Sequence, residues 1–151
     1  MAEIVPPAEP AQAATQEISP EMVARMECQA ILATLLQRSQ ATLFASMSTV
    51  DGRSYAHAGS NLSSANAQRT AAITSSLMGL IESFSRETLA SGALYNSIAT
   101  DKGSIVIVRV PSRARLHTLC VCTDNTANLA MTIRAALDTA QKLAERIDAH
   151  R

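Results

Sequence analysis

The chain has 151 residues, 47% of them hydrophobic, and its thirteen basic and thirteen acidic side chains cancel. That length and apolar content fit one domain with a real core, while zero net charge excludes the basic field that nucleic acid or an anionic membrane surface requires. Two Phe, two Tyr and no Trp exclude aromatic platforms for stacking bases or sugars.

Residues 1–18 carry Pro6, Pro7 and Pro10 among Ala, Gln and Glu, which predicts a flexible tail ahead of a single domain over residues 19–151. The tail has neither the basic start nor the apolar stretch of a secretory signal, and no uncharged run is long enough to span a bilayer. Cys28, Cys120 and Cys122 are odd in number and lack framework spacing. Reduced thiols and a cytoplasmic chain are expected.

Ser19 as N-cap, Pro20 at the first helical position and Glu21 at the positive end of the dipole start a helix that runs to about Arg38. Its apolar stripe is Ala24, Cys28, Ile31, Leu32 and Leu35. From Ala41 the period changes to two, with Leu43, Ala45 and Met47 on one face and Thr42, Phe44, Ser46 and Ser48 on the other. Asp51-Gly52 turns the chain into a second strand over residues 54–59, making a hairpin. Polar residues 61–64 then precede a long helix over residues 65–89, which Ser91-Gly92 ends. Residues 93–100 read as a third strand, and the turn Asp101-Lys102-Gly103 leads into SIVIVRV (residues 104–110). That run is apolar on both faces and predicts an interior strand, stopped by Pro111. In a fifth strand, residues 116–123, Leu116, Thr118, Cys120 and Cys122 face opposite to His117, Leu119 and Val121. Asp124 and Asn125 are the expected caps of a last helix with the stripe Leu129, Ile133, Ala136, Leu137, Ala140, Leu143 and Ile147. The order is α-β-β-α-β-β-β-α. Short connections make the five-stranded sheet antiparallel, and three helices covering both faces give an α/β sandwich.

The long helix contains residues 70–81, TAAITSSLMGLI, without a single charge. Ile73, Leu77, Leu80, Ile81 and Phe84 fall within an arc of about 100° and are expected to face the core. Ala67, Ala71, Ser75, Gly79 and Ser83 recur every four residues as a ridge of small side chains that admits another helix at close range. A partner subunit is the expected cover, with contact centred on Ala71, Ser75 and Gly79.

No catalytic, cofactor or metal residue is expected. Cys120 and Cys122 share a strand face, but His117 points the other way and a zinc site needs four ligands. His57 has no acid nearby in sequence to orient it. There is no G-x-S-x-G elbow, and the five glycines are too scattered for a phosphate loop. Asp101 and Asp124 suit turn and capping roles. Arg109, Arg113 and Arg115 flank Pro111 as a basic loop, either solvated or facing an acidic partner.

The element order, the hairpin VDGRSYAHAG, the segment GALYNSIATDKGSIVIVRV after the long helix and the closing DNTANLAMTIRAALDTA together resemble the roadblock family of dynein light chain and GTPase-regulatory proteins. The resemblance covers about residues 20–147 and includes the Asn128-Leu129 pair that enters the last helix; the family often has glycine next, where this chain has Ala130. It implies a profilin-like architecture, with the middle helix on one sheet face and the first and last on the other. It also implies dimers joined through the middle helix and the third strand, with Leu94, Tyr95, Asn96, Ser97 and Ile98 at the edge. That strand lacks the Lys or Pro that deters edge pairing. Family members act as scaffolds, dynein accessory chains or partners of Ras-like small GTPases, and bacterial relatives include homodimers that stimulate GTP hydrolysis. The expectation is a homodimeric, non-catalytic regulator or scaffold that binds a Ras-like small GTPase through Gln68, Glu82 and Arg86, taken as the most exposed polar positions of the middle helix. The alternatives are a dimeric structural subunit without a GTPase, and a small-ligand sensor, which a 3% aromatic content makes hard to build.

Overall fold

Ser19 Oγ accepts a hydrogen bond from the Met22 amide at 3.2 Å, so the first helix starts where the sequence signals it. In a computed structural model describing residues 2–10, 16–59 and 64–150, the elements are α1 (Pro20–Arg38), β1 (Thr42–Thr49), β2 (Ser54–Ala58), α2 (Ser64–Leu89), β3 (Asn96–Thr100), β4 (Gly103–Arg109), β5 (His117–Asp124) and α3 (Leu129–Ala149). The strands form one antiparallel sheet in the order β2-β1-β5-β4-β3. β4 is interior, as its doubly apolar sequence requires, and β2 and β3 are the edges. The expected caps at residues 61–63 and part of the tail, residues 11–15, lie outside the described residues.

Alternation along the strands divides the core. Ala45, Met47, Val106, Val108, Leu119 and Val121 point to one side, where they pack with Cys28 and Leu32 of α1 and Ala136, Ala140 and Leu143 of α3. On the other side Ile107 and Cys120 meet Met78 of α2, flanked by Phe44, Leu77 and Ile105. The main core is therefore the α1/α3 side, and the α2 side is thin. Gly103 opens β4 at φ +155°, and a Cβ there would sit 1.9 Å from the Thr123 carbonyl oxygen. Only glycine lets β4 meet β5 so closely.

Several boundaries differ from the sequence reading, each for a local reason. β3 starts at Asn96 rather than residue 93, so Leu94 and Tyr95 belong to the loop before it. α2 turns out of helix at Ala90, which adopts φ +54° and returns its amide to the Arg86 carbonyl at 3.0 Å. The left-handed stop thus falls on an alanine one residue before Ser91-Gly92. The cap of α3 is Asn128, whose Oδ1 accepts from the Met131 amide at 3.1 Å. Asp124 instead closes a turn, accepting from the Thr126 amide at 2.8 Å; it bonds its own neighbours two residues on, as aspartate does in turns.

His117 shows how the α1 side handles a polar ring. It packs edge-on against Tyr55, with centroids 4.5 Å apart, and Arg25 of α1 lies 4.9 Å over the other aromatic partner, the Tyr55 ring. Burial first, and then the Arg25 charge, hold the imidazole below its ordinary range, with Glu21 opposing. The folded protein therefore binds fewer protons than the unfolded chain just below the ordinary histidine value of about 6.5. Thermal stability is expected to fall as pH drops through that value, before the carboxylates titrate, and His117→Phe should flatten this part of the stability profile. An unchanged slope in the variant would show that His117 is not its source.

Candidate functional site

The small residues of α2 determine which way the helix faces. Ala67, Ala71, Thr74 and Met78 are buried against the sheet, where short side chains bring the helix axis close to β1, β2 and β5. The larger apolar residues are turned away from that contact. Leu77 and Ile81 are half-buried, while Ile73, Leu80 and Phe84 are 57%, 69% and 69% exposed. This partly reverses the expected arrangement, a small-residue ridge outward and a large stripe inward: Ala67 and Ala71 of the ridge turn onto the sheet, where close packing rewards small side chains, while Gly79 and Ser83 stay exposed.

The reversal revises the interface residues one by one. Ala71 is buried beneath the helix and does not face outward. Ser75 is committed to the hairpin, donating to the Val50 carbonyl at 2.6 Å. Gly79 is exposed, and a Cβ added there would meet nothing within 4 Å. A glycine inside a helix costs about 1 kcal/mol relative to alanine, and no intramolecular contact explains this one.

Beside the exposed flank of α2, part of the sheet face has little cover. Ile98 of β3 pairs with Ile105 of β4, which in turn sits opposite Cys122. These residues point to the α2 side, yet α2 packs over the other half of the sheet. Ile98 remains 38% exposed, with Tyr95 at 43% and Leu94 at 81% just before it. Helix flank and bare sheet together form an apolar step of a kind that usually marks an interface.

The two sheet edges are treated differently. On β2, Gln29 of α1 accepts from the His57 amide through Oε1 at 3.0 Å and donates through Nε2 to the His57 carbonyl. Gln68 of α2 accepts from the Ser54 amide at 3.0 Å and donates to the Gly52 carbonyl at 2.9 Å. Two side-chain amides thus occupy the Ser54 amide and the His57 amide and carbonyl at this edge, groups that another strand would use. Among the described residues, no side chain does this for the main chain of β3. One edge is closed and the other is open.

Of the three polar residues expected to meet a partner, Gln68 and Arg86 are exposed and Glu82 is half-buried, and each already has a partner within the chain. Gln68 holds the hairpin, as above. Glu82 is half-buried, its side chain 19% exposed, 3.8 Å from Arg86 and 4.0 Å from Arg109; the chain curls back at Gly92 close enough to shield it. The outer crest of α2 instead presents Arg69, Ser76, Ser83 and Glu87. Gln29 went unnoticed in the sequence because its partner lies 28 residues away in another element, a separation that no local pattern encodes.

Among the described residues, no three His, Cys, Asp or Glu side chains gather as metal ligands. Burial pushes the Cys120 thiol up to about 12, helped by Cys122, and the Cys28 thiol to about 11, helped by Glu27. Both are packing residues at neutral pH. No described helix is long and apolar enough to cross a membrane.

Solved roadblock-domain structures share this fold. The chain resembles the Roadblock/LC7 domain from Streptomyces avermitilis at a TM-score of 0.71 and 18% identity, over 79% of this chain and 96% of that one. Myxococcus xanthus MglB gives a TM-score of 0.74 at 13% identity, over 84% and 92%. A profilin, LokiProfilin2 from its complex with rabbit actin, is similar at a TM-score of 0.53 and 16% identity, over 79% and 96%. No protein-family model and no curated protein sequence matches the chain.

The glutamine clamp makes a direct prediction. Gln29→Ala should cost about 1 kcal/mol from its lost hydrogen bonds and, by uncapping β2, should add concentration-dependent higher assemblies in light scattering. A variant that stays as disperse as the parent would show that Gln29 does not guard the edge.

Proposed function

We propose that this chain is a homodimeric, non-catalytic regulator or scaffold that receives a Ras-like small GTPase on its paired α2 helices. The observation that carries the reading is the unpacked flank of α2, Ile73, Leu80 and Phe84, lying beside the open β3 edge on a roadblock fold. In the proposed dimer, β3 pairs with its symmetry mate through Asn96, Ser97 and Ile98, and the second α2 fills the bare step over Ile98 and Ile105. Leu94 and Tyr95, in the loop before β3, close its end. Gly79 turns to the hairpin side of α2, beside Val50, Gly52 and Ser75, so the proposed helix contact falls on Ile73 and Phe84 and not on Ala71, Ser75 and Gly79.

The GTPase reading rests on the roadblock likeness of the fold, with MglB from Myxococcus xanthus among the similar structures. Self-association is supported in the same way, since an MglB structure is described in a tetrameric arrangement. The proposed docking platform is the outer crest of the paired helices, Arg69, Ser76, Ser83, Arg86 and Glu87, which stays exposed when the apolar flanks are covered. Its mixed charges suit orientation of a partner more than raw affinity. The chain itself would contribute no catalytic side chain; any effect on hydrolysis would come from how it holds the GTPase.

Phe84→Arg separates these layers. Phe84 is 69% exposed in the single chain, so the variant should fold as a monomer. In the dimer, a charged side chain within the covered apolar flank should be excluded. Wild type mixed with Ras-like small GTPases in their GDP and GTP states is expected to give a nucleotide-dependent complex, and Phe84→Arg to give a monomer with that complex weakened at least tenfold. A wild type that is dimeric yet binds no GTPase in either state, with hydrolysis unchanged, would leave a structural subunit and remove the GTPase reading.

A further inference from the structure

The end of the sheet where β3 starts holds a second feature, which adjoins the apolar step at Leu94. β3 begins at Asn96, opposite Ile107, so β4 continues through Val108 and Arg109 without a strand on that side. The space beside it is a cavity of about 720 Å³ between the C-terminal part of α2, the loop before β3, the loop after β4 and α3. Small-molecule sites commonly measure roughly 300–1,000 Å³.

Three guanidinium groups, Arg86, Arg109 and Arg115, line this cavity with one carboxylate, Glu82. Glu82 is shared at 3.8 Å and 4.0 Å between Arg86 and Arg109. Arg115 has no ion-pair partner among the described residues. Three cations against one anion leave an excess of two positive charges, partly dehydrated because the Arg109 side chain is only 26% exposed. The remaining wall is apolar, with Leu94, Pro111 and Leu137.

The backbone at Arg115 adds an independent observation. Its φ is +53°, a conformation that L residues with long side chains avoid. The turn is held firmly, because the Arg115 amide donates to the Ser112 carbonyl at 3.1 Å and the Arg113 amide to Asp148 Oδ1 of α3, also at 3.1 Å. Glycine or asparagine would suit this turn better. An arginine held there against its backbone preference calls for a use of its guanidinium, and strained residues of this kind cluster at ligand sites.

We propose that this cavity binds a small molecule bearing a doubly charged oxyanion, a phosphate monoester or a pair of carboxylates, on an apolar body. The guanidinium forks of Arg109 and Arg115 take the oxygens, as planar forks do for both anion types, while Leu94, Pro111 and Leu137 take the body. This site would make the protein a ligand-responsive module, whichever macromolecule its helices engage.

The full chain titrated calorimetrically with phenyl phosphate, with phthalate and with uncharged benzamide tests the proposal. At least one charged probe should bind saturably with a Kd below about 1 mM, and benzamide should not; the tighter of the two names the headgroup class. Arg115→Asn should weaken that binding by about tenfold or more while melting at the same or a higher temperature, since asparagine tolerates φ +53°. Arg86→Gln, at an exposed helical position, should also weaken binding and serves if the loop variant does not fold. Absence of saturable binding by both charged probes overturns the proposal, and so does undiminished binding in the folded variants.

Discussion

The close seating of α2 on the sheet constrains everything else in this molecule. Alanine and threonine at the contact let the helix lie tightly on β1, β2 and β5, and that position leaves β3 and the Ile105 end of β4 with little above them. The larger apolar residues Ile73, Leu80 and Phe84 of the helix are left exposed. Burying a side chain of that size is worth about 1.5–3 kcal/mol, so an isolated chain forgoes several such contributions at Ile73, Leu80 and Phe84. In the proposed dimer a second copy, bringing the same flank and the same bare sheet, would supply the complementary surface under a two-fold axis.

The edges follow from the same placement. α1 and α2 pass near enough to β2 for Gln29 and Gln68 to cap its main-chain groups, whereas among the described residues no side chain caps the main chain of β3. An open edge next to an apolar step invites pairing with a defined register, while a closed edge opposite prevents the assembly from growing into a fibre. This difference between edges argues for a closed pair over an open-ended array.

Much of the architecture was legible in the sequence because its signals are local. Ser19-Pro20 starts α1, the period-two alternation in β1 and β5 sorts the two sheet faces correctly, and the doubly apolar β4 is interior. The facing of α2 was not legible, because its two candidate faces were both free of charge; choosing between them depends on how near a helix can approach a sheet, a property of the assembled layers. The Gln29 clamp and the cavity of Arg86, Arg109 and Arg115 join residues far apart in sequence. The basic loop around Pro111 was visible, but its convergence on Glu82 and Leu94 needed β3 to start late.

Amide hydrogen exchange of the wild-type chain, followed across a wide range of protein concentration, tests the pairing of β3 most directly. In a β3-paired dimer, Asn96–Thr100 of β3 should be protected at high concentration and lose protection on dilution, while Ser54–Ala58 of β2 exchanges alike throughout. Exchange of β3 as a free edge at every concentration would contradict it.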